Sequence, residues 1–168
     1  MSETHPLPVH NVRIKKLKSL LAIVENSLKG GDNYLFRNLY VDENGEEKDI
    51  LENGGNSCAS FVSWILLTLE LIKHPHATVF STTKDLLASG WFEIKELKSG
   101  AVIIWEKREG GMLEEQKIPK EHIGFCISET EAISNDSKGT GFPWRHHVTY
   151  NNTRKVEKIL WHQELDNG

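Results

Sequence analysis

The sequence has little of several features that would assign it to a functional class at once. Its 168 residues include only two cysteines, Cys58 and Cys126, which excludes a disulfide-stapled scaffold. Lys and Arg number 20 against 24 Asp and Glu, and a net charge of −4 argues against a nucleic-acid partner. No Cys-x-x-Cys or His-x-x-x-His pair occurs, so no metal site is predicted.

Long apolar runs are also absent. The longest, Phe61 to Ile72, is interrupted by polar residues such as Glu70 and is shorter than the roughly twenty residues that cross a membrane. The N-terminal sequence has no basic start followed by an apolar core. We therefore expect a cytoplasmic protein without a membrane partner, with delivery by a route that needs no signal peptide still open.

What is present is the composition of an ordinary globular protein, with 38% hydrophobic and 26% charged residues. The sequence contains no repeat, low-complexity tract or linker. Residues 1–168 are therefore predicted to form a single domain.

The first ninety residues favour helices. Apolar residues at three-then-four spacing predict an N-terminal helix over 11–30. A second helix, Cys58 to Lys73, is apolar nearly all round and is predicted to be central, with Asn56 or Ser57 as its N-cap. A third, shorter helix is predicted within residues 81–91, and Asn44-Gly45 predicts a hairpin turn.

After residue 90 the apolar period changes to two, which is typical of strands. The strand-like segments are GAVIIWEK, EHIGFCIS, EAISN, RHHVTYN and KVEKILWH, and residues 141–168 are predicted to hold the last of them. We expect an α+β fold in which N-terminal helices and a central core helix pack on a C-terminal antiparallel sheet.

The position of Cys58 fits two different roles, a catalytic nucleophile and a packed core residue. A helix N-terminus supplies unpaired N–H groups and partial positive charge, which can draw the pKa of a thiol well below about 8.5. A free cysteine is also among the most commonly buried residues, so a packing role is the competing interpretation. A nucleophilic cysteine needs a base, and of eight histidines His122 begins a strand directly after a polar loop.

The segment SCASFVSWIL resembles the cysteine-bearing helix of NlpC-type cell-wall cysteine peptidases and their CHAP amidase relatives. LKSGAVIIWE is similar to the strand that follows in those families, and HIGFCIS to the strand whose leading histidine is the general base. The resemblance covers residues 50–140 and implies a papain-like core without a cofactor.

The resemblance implies that Cys58 is the nucleophile and His122 the base. The third polar residue, which orients the base, is one of Ser134, Asn135 and Asp136. We favour Asn135, because its carbonyl oxygen can accept a hydrogen bond from one imidazole nitrogen and fix the tautomer.

Three further residues are candidates for substrate binding. Ser57 is a possible second oxyanion donor beside the Cys58 N–H, and Trp144 and His147 would contact substrate if their segment covers the cleft. The predicted function is a cysteine hydrolase that cleaves amide bonds, and the resemblance implies peptidoglycan stem peptides as its substrates. A deamidase or acyltransferase with the same residues, and a non-catalytic binding module on the same scaffold, remain alternatives.

Overall fold

The computed structural model describes residues 13–109 and 119–167. Within these residues the chain forms three α-helices: α1 (Lys16–Asn26), α2 (Cys58–Thr68) and α3 (Val79–Ala88). The same residues form eight strands: β1 (Tyr40–Glu43), β2 (Glu46–Asp49), β3 (Trp91–Ile94), β4 (Val102–Glu109), β5 (Pro119–Cys126), β6 (Glu131–Asn135), β7 (Pro143–His147) and β8 (Val156–His162). Residues 11 and 12 of the predicted first helix lie outside the described residues.

Strands β3 to β8 form one antiparallel sheet in the order β3-β8-β4-β5-β6-β7. The predicted α+β class with an antiparallel C-terminal sheet is confirmed. Strand β3 was not predicted, because Phe92 and Glu93 are both exposed and the strand lacks an alternating apolar pattern. Strands β1 and β2 pair separately around Asn44 and Gly45, both with positive φ, as the predicted hairpin requires.

Helix α2 packs on β5 and β6 at the centre of the fold. The Phe61 ring meets the Phe125 ring edge-on at 5.8 Å between centroids, and most residues of the helix are buried. The helix ends at Thr68 rather than at the predicted Lys73. Glu70 adopts a left-handed conformation (φ 57°), and Leu71 N donates to Leu66 O at 3.0 Å, which is a Schellman-type C-terminus.

Helices α1 and α2, with eleven residues each, are the longest that the structure describes. Across residues 13–109 and 119–167, no helix is both long enough and apolar enough to cross a membrane.

The loop that leads into Cys58 is held by side-chain hydrogen bonds. The Asp49 carboxylate accepts four of them at 2.7–3.1 Å, from Asn38 Nδ2 and from the backbone N–H groups of Leu39, Leu51 and Asn53. Burial opposes ionisation of Asp49, but these bonds outweigh it and lower the pKa of its carboxyl. A carboxylate at the end of β2 thus fixes the start of the loop.

The same loop is attached to the sheet from its other side. Asn135 Nδ2, at the end of β6, donates to Gly54 O at 2.8 Å. Gly54 has φ +94°, and a Cβ there would lie 2.2 Å from Gly141 O. Only glycine permits this approach of two backbones, and the approach sets where the loop delivers Cys58.

Replacing Gly54 with alanine is expected to destabilise the protein more than replacing Gly30 with alanine. Both residues have positive φ (94° and 79°), so each substitution costs about 1–2 kcal/mol of backbone strain. Only Gly54→Ala also forces a Cβ into Gly141, and overpacking costs a further ~1–3 kcal/mol. Urea unfolding of both variants measures the difference. Equal losses of unfolding free energy would show that the Gly54–Gly141 approach is not tight.

Candidate active site

Cys58 is the first residue of α2, and its sulfur interacts with the backbone N–H groups of Ile123 and Ala59. The nucleophile candidate therefore lies against β5, one residue beyond His122. Among the described residues, no hydrogen bond joins the Cys58 sulfur to the His122 ring. The two groups are neighbours in a common environment rather than a preformed pair.

The expected lowering of the pKa of Cys58 is wrong. Burial raises the pKa of the Cys58 thiol above its ordinary value, although the N–H groups of Ile123 and Ala59 and the positive charge of Arg154 oppose this rise. Cys58 is half-buried, and this loss of hydration destabilises the thiolate more than the backbone N–H groups and the charge of Arg154 stabilise it. The unliganded protein therefore carries Cys58 as a thiol at neutral pH.

His122 lies on β5 directly opposite Trp105 of β4, with 5.4 Å between ring centroids, and it is buried. Burial lowers the pKa of His122 to about 3, and the charge of Arg154 acts in the same direction. The imidazole is consequently neutral at neutral pH, with one nitrogen protonated and the other able to accept a proton.

The hydrogen-bond partner of His122 is Ser134 and not Asn135, the favoured candidate. His122 Nε2 lies 2.9 Å from Ser134 Oγ, whereas the Asn135 amide is bonded to Gly54 O. The third candidate, Asp136, accepts from Thr140 N and closes its own loop. Ser134 and Asn135 are adjacent on a strand and so point to opposite sides, which makes Asn135 a residue that positions the loop before Cys58.

Gly124 makes room for this contact. It pairs with Ser134 across β5 and β6, and a Cβ at Gly124 would lie 2.6 Å from Ser134 Cβ and 3.1 Å from the Trp105 ring. Without that side chain, the Ser134 hydroxyl and the indole can both approach His122.

Of the adjacent histidines on β7, His146 rather than His147 joins this group. His146 Nε2 lies 2.8 Å from Ser134 Oγ. His147, predicted to contact substrate, has its Nδ1 3.0 Å from Thr149 Oγ1, and as the next residue of the strand it faces the other way. His147 therefore lies outside this hydrogen-bonded group, and its contact with substrate stays a prediction.

Of the other two substrate-binding candidates, Trp144 lies beside His146 and Ser57 directly precedes Cys58. Trp144 shares the face of His146, with 5.0 Å between the ring centroids, and it is 39% exposed. Ser57 is the N-cap residue of α2, as predicted, but its side chain makes no capping bond. Its buried Oγ has no hydrogen-bond partner within the described part of the chain.

Tyr150 and Arg154 complete the group and were not found from the sequence. The Tyr150 ring stacks on His146 at 4.0 Å between centroids, and its hydroxyl lies 3.2 Å from Ser134 Oγ. Arg154 Nη2 donates to the carbonyl oxygens of Glu106 (2.9 Å) and Lys120 (3.1 Å), and its charge acts on both the thiol and the imidazole. Both residues come from the turn-rich segment between β7 and β8, whose sequence carries no catalytic signal.

Comparison of the chain with family profiles, curated proteins and solved structures finds no match. Within the described ranges, no group of three or more His, Cys, Asp and Glu side chains is arranged to hold a metal ion. The functional groups present at the site are a thiol, a neutral imidazole, a guanidinium and hydroxyl groups.

Replacing His122 with glutamine is expected to make stability less sensitive to acid. In the unfolded chain the imidazole binds a proton near pH 6.5, whereas in the folded protein it does so only near pH 3. The unfolded state thus binds more protons between these values, so this contribution is fully present above about pH 6.5 and is lost as pH falls towards 3. The loss reaches at most roughly 5 kcal/mol.

The measurement is the free energy of unfolding in urea at several pH values for wild type and His122→Gln. The variant curve should be flatter between pH 6.5 and 3, and the exposed His74→Gln variant controls for the loss of one imidazole. Parallel curves for wild type and His122→Gln would show that His122 is protonated in the folded protein as easily as in the unfolded chain.

Proposed function

We propose that the protein is a cysteine hydrolase that cleaves amide bonds, with Cys58 as nucleophile and His122 as general base on a papain-like core. One observation carries the proposal: the thiol at the start of α2 lies against the strand of a buried, neutral imidazole whose Nε2 is already bonded to Ser134. Nδ1 of that ring makes no hydrogen bond within the described residues, and we assign to it the proton of the Cys58 thiol in the proposed reaction.

The order of elements supports the same proposal. A core helix opened by cysteine, a buried strand, and a neighbouring strand that carries a histidine occur here as α2, β4 and β5, although β5 begins at Pro119, three residues before His122. That is the order in the NlpC and CHAP families that the sequence resembles, and the resemblance is the basis for proposing peptidoglycan stem peptides as substrate. Trp144 presents a partly exposed aromatic ring next to His146, where a substrate could pack.

In the proposed reaction, His122 Nδ1 takes the proton of the Cys58 thiol as the sulfur attacks the carbonyl carbon of the amide. The carbonyl oxygen becomes an oxyanion, for which the backbone N–H groups at the start of α2 are the nearest donors. His122 then gives its proton to the leaving amine as the C–N bond breaks, which leaves a thioester on Cys58. Water attacks the thioester with His122 again as base, and the acid and free thiol are released.

The protonation states of Cys58 and His122 before substrate binds determine the type of catalysis. Because burial raises the pKa of Cys58 and lowers that of His122, transfer of the proton between them is uphill before substrate binds. Attack and proton transfer therefore occur together, as general-base catalysis, rather than from a thiolate–imidazolium pair that already exists.

A second candidate function is a non-catalytic binding module on the same scaffold. It is favoured by the lack of a hydrogen bond between the Cys58 sulfur and the His122 ring and by the raised pKa of the thiol. A hydrolase would cleave the ligand and need Cys58 to do so, whereas a binding module would bind the ligand without cleaving it. Cleavage and binding of the same ligand are therefore measured separately.

Incubation with peptidoglycan stem peptides is expected to yield paired amine and carboxylate products, detected by liquid chromatography and mass spectrometry. Cys58→Ala should abolish cleavage, and His122→Ala should lower kcat by about 10²- to 10⁴-fold, the usual contribution of a general base.

Cys126→Ala is the matched control. Cys126 is a buried thiol on the same strand as His122, its Sγ donates to Ser128 O at 3.2 Å, and burial raises its pKa to about 11. The Cys126 variant should keep wild-type kcat. Cleavage that survives in Cys58→Ala would contradict the proposal, and retained binding without any cleavage by wild type would favour the binding module.

A further inference from the structure

Four side chains on one face of β5, β6 and β7 form a continuous hydrogen-bonded group, which we call the relay: His122, Ser134, His146 and Tyr150. Ser134 Oγ is at its centre, 2.9 Å from His122 Nε2, 2.8 Å from His146 Nε2 and 3.2 Å from the Tyr150 hydroxyl. The proposed reaction uses only one of these contacts, so the role of the others needs an explanation.

The direction of the hydrogen bonds is set at the far end of the relay. His146 Nδ1 lies 2.9 Å from the carbonyl oxygen of His147, and a carbonyl oxygen can only accept, so Nδ1 carries a hydrogen. Burial lowers the pKa of His146 even though its bond to His147 O favours protonation. The ring is therefore neutral near pH 7, and its Nε2 is an acceptor.

The direction of each hydrogen bond of the Ser134 hydroxyl follows from this. Its single hydroxyl hydrogen goes to His146 Nε2, and its oxygen is left with two lone pairs. Burial raises the pKa of Tyr150 to about 12, so the phenol keeps its proton and donates to one lone pair. The other accepts from His122 Nε2, which must therefore carry the hydrogen.

The Trp105 ring packs against three side chains of the relay and keeps other hydrogen-bond partners away from them. The Trp105 ring lies 5.4 Å from His122, 5.5 Å from His146 and 5.6 Å from Tyr150, measured between centroids. The indole N–H donates to Val148 O at 2.6 Å, so it does not compete inside the relay. Ser134 is fully buried, and its hydrogen-bond capacity is used entirely by the relay.

We propose that His146, acting through Ser134, is a positioning residue that holds His122 in the tautomer with hydrogen on Nε2 and a free lone pair on Nδ1. Without an acceptor at position 146, Ser134 can donate to His122 Nε2, and the hydrogen of His122 moves to Nδ1. That tautomer cannot take a proton from a thiol at Nδ1. The catalytic consequence rests on the proposed function, whereas the tautomer itself does not.

The test is long-range ¹H–¹⁵N NMR of ¹⁵N-histidine-labelled protein, which reports which ring nitrogen carries hydrogen. In wild type, His122 should have hydrogen on Nε2 and His146 on Nδ1. In His146→Phe, which keeps an aromatic ring beside Tyr150 but removes the acceptor, His122 should shift towards the Nδ1–H tautomer. Tyr150→Phe is the matched control, because it removes a hydroxyl that only donates to Ser134, and it should leave the tautomer unchanged.

Two results would overturn the inference: hydrogen on Nδ1 of His122 in wild type, or an unchanged His122 tautomer in folded His146→Phe. Hydrogen on Nδ1 of His122 in the wild-type spectrum overturns the inference even if that variant does not fold. In the stem-peptide assay, His146→Phe should lower kcat at least tenfold with little change in KM, whereas Tyr150→Phe should have a smaller effect. If wild type cleaves nothing but shows the Nε2–H tautomer, the proposed function fails and the relay stands.

Discussion

Water has little access to three polar side chains on one face of β5, β6 and β7, and these side chains make their hydrogen bonds with one another rather than with solvent. His122, Ser134 and His146 are all buried beneath Trp105. An unmet hydrogen bond in such a place costs about 1–3 kcal/mol, so each hydrogen has a defined acceptor. This constraint keeps both imidazoles neutral and underlies the proposed tautomers. The missing side chain at Gly124 leaves the space in which Ser134 and the indole come close.

The same exclusion of water decides which kind of cysteine chemistry the site favours. A helix N-terminus and Arg154 both stabilise a thiolate at Cys58, yet burial outweighs them and the thiol stays protonated. Arg154 also disfavours an imidazolium at His122. The positive charge that would help the sulfur ionise therefore weakens the base. In the proposed reaction the two effects are compatible, because the negative charge develops on the substrate during attack.

Much of the fold could be predicted from the sequence because the strongest patterns are local. The apolar run after Cys58 predicts a central helix, and it begins where expected. Its end was misjudged because Glu70, not a glycine, takes the left-handed position that stops it. Strand β3 was missed for a related reason: its two central residues are both exposed, so no alternation marks it.

The candidate site could be predicted only as far as its residues belong to recognisable elements. Cys58 opens a helix and His122 lies on a strand, and both positions could be read from patterns. The choice between Ser134 and Asn135 depends on the register of β6 against β5, which a one-residue shift would reverse. Arg154 enters the site from a turn, and its place depends on tertiary packing alone.

The central claim is that His122 acts as a general base on Cys58, and the most direct measurement is acetylation of Cys58 by p-nitrophenyl acetate. Peptide mass spectrometry would follow the rate between about pH 5 and pH 8 in wild type and His122→Ala. General-base catalysis by an imidazole with pKa near 3 predicts a rate nearly independent of pH in wild type. In His122→Ala the rate should be slower and rise about tenfold per pH unit, because it follows the thiolate alone. Equal rates with the same steep rise in both proteins would contradict the account.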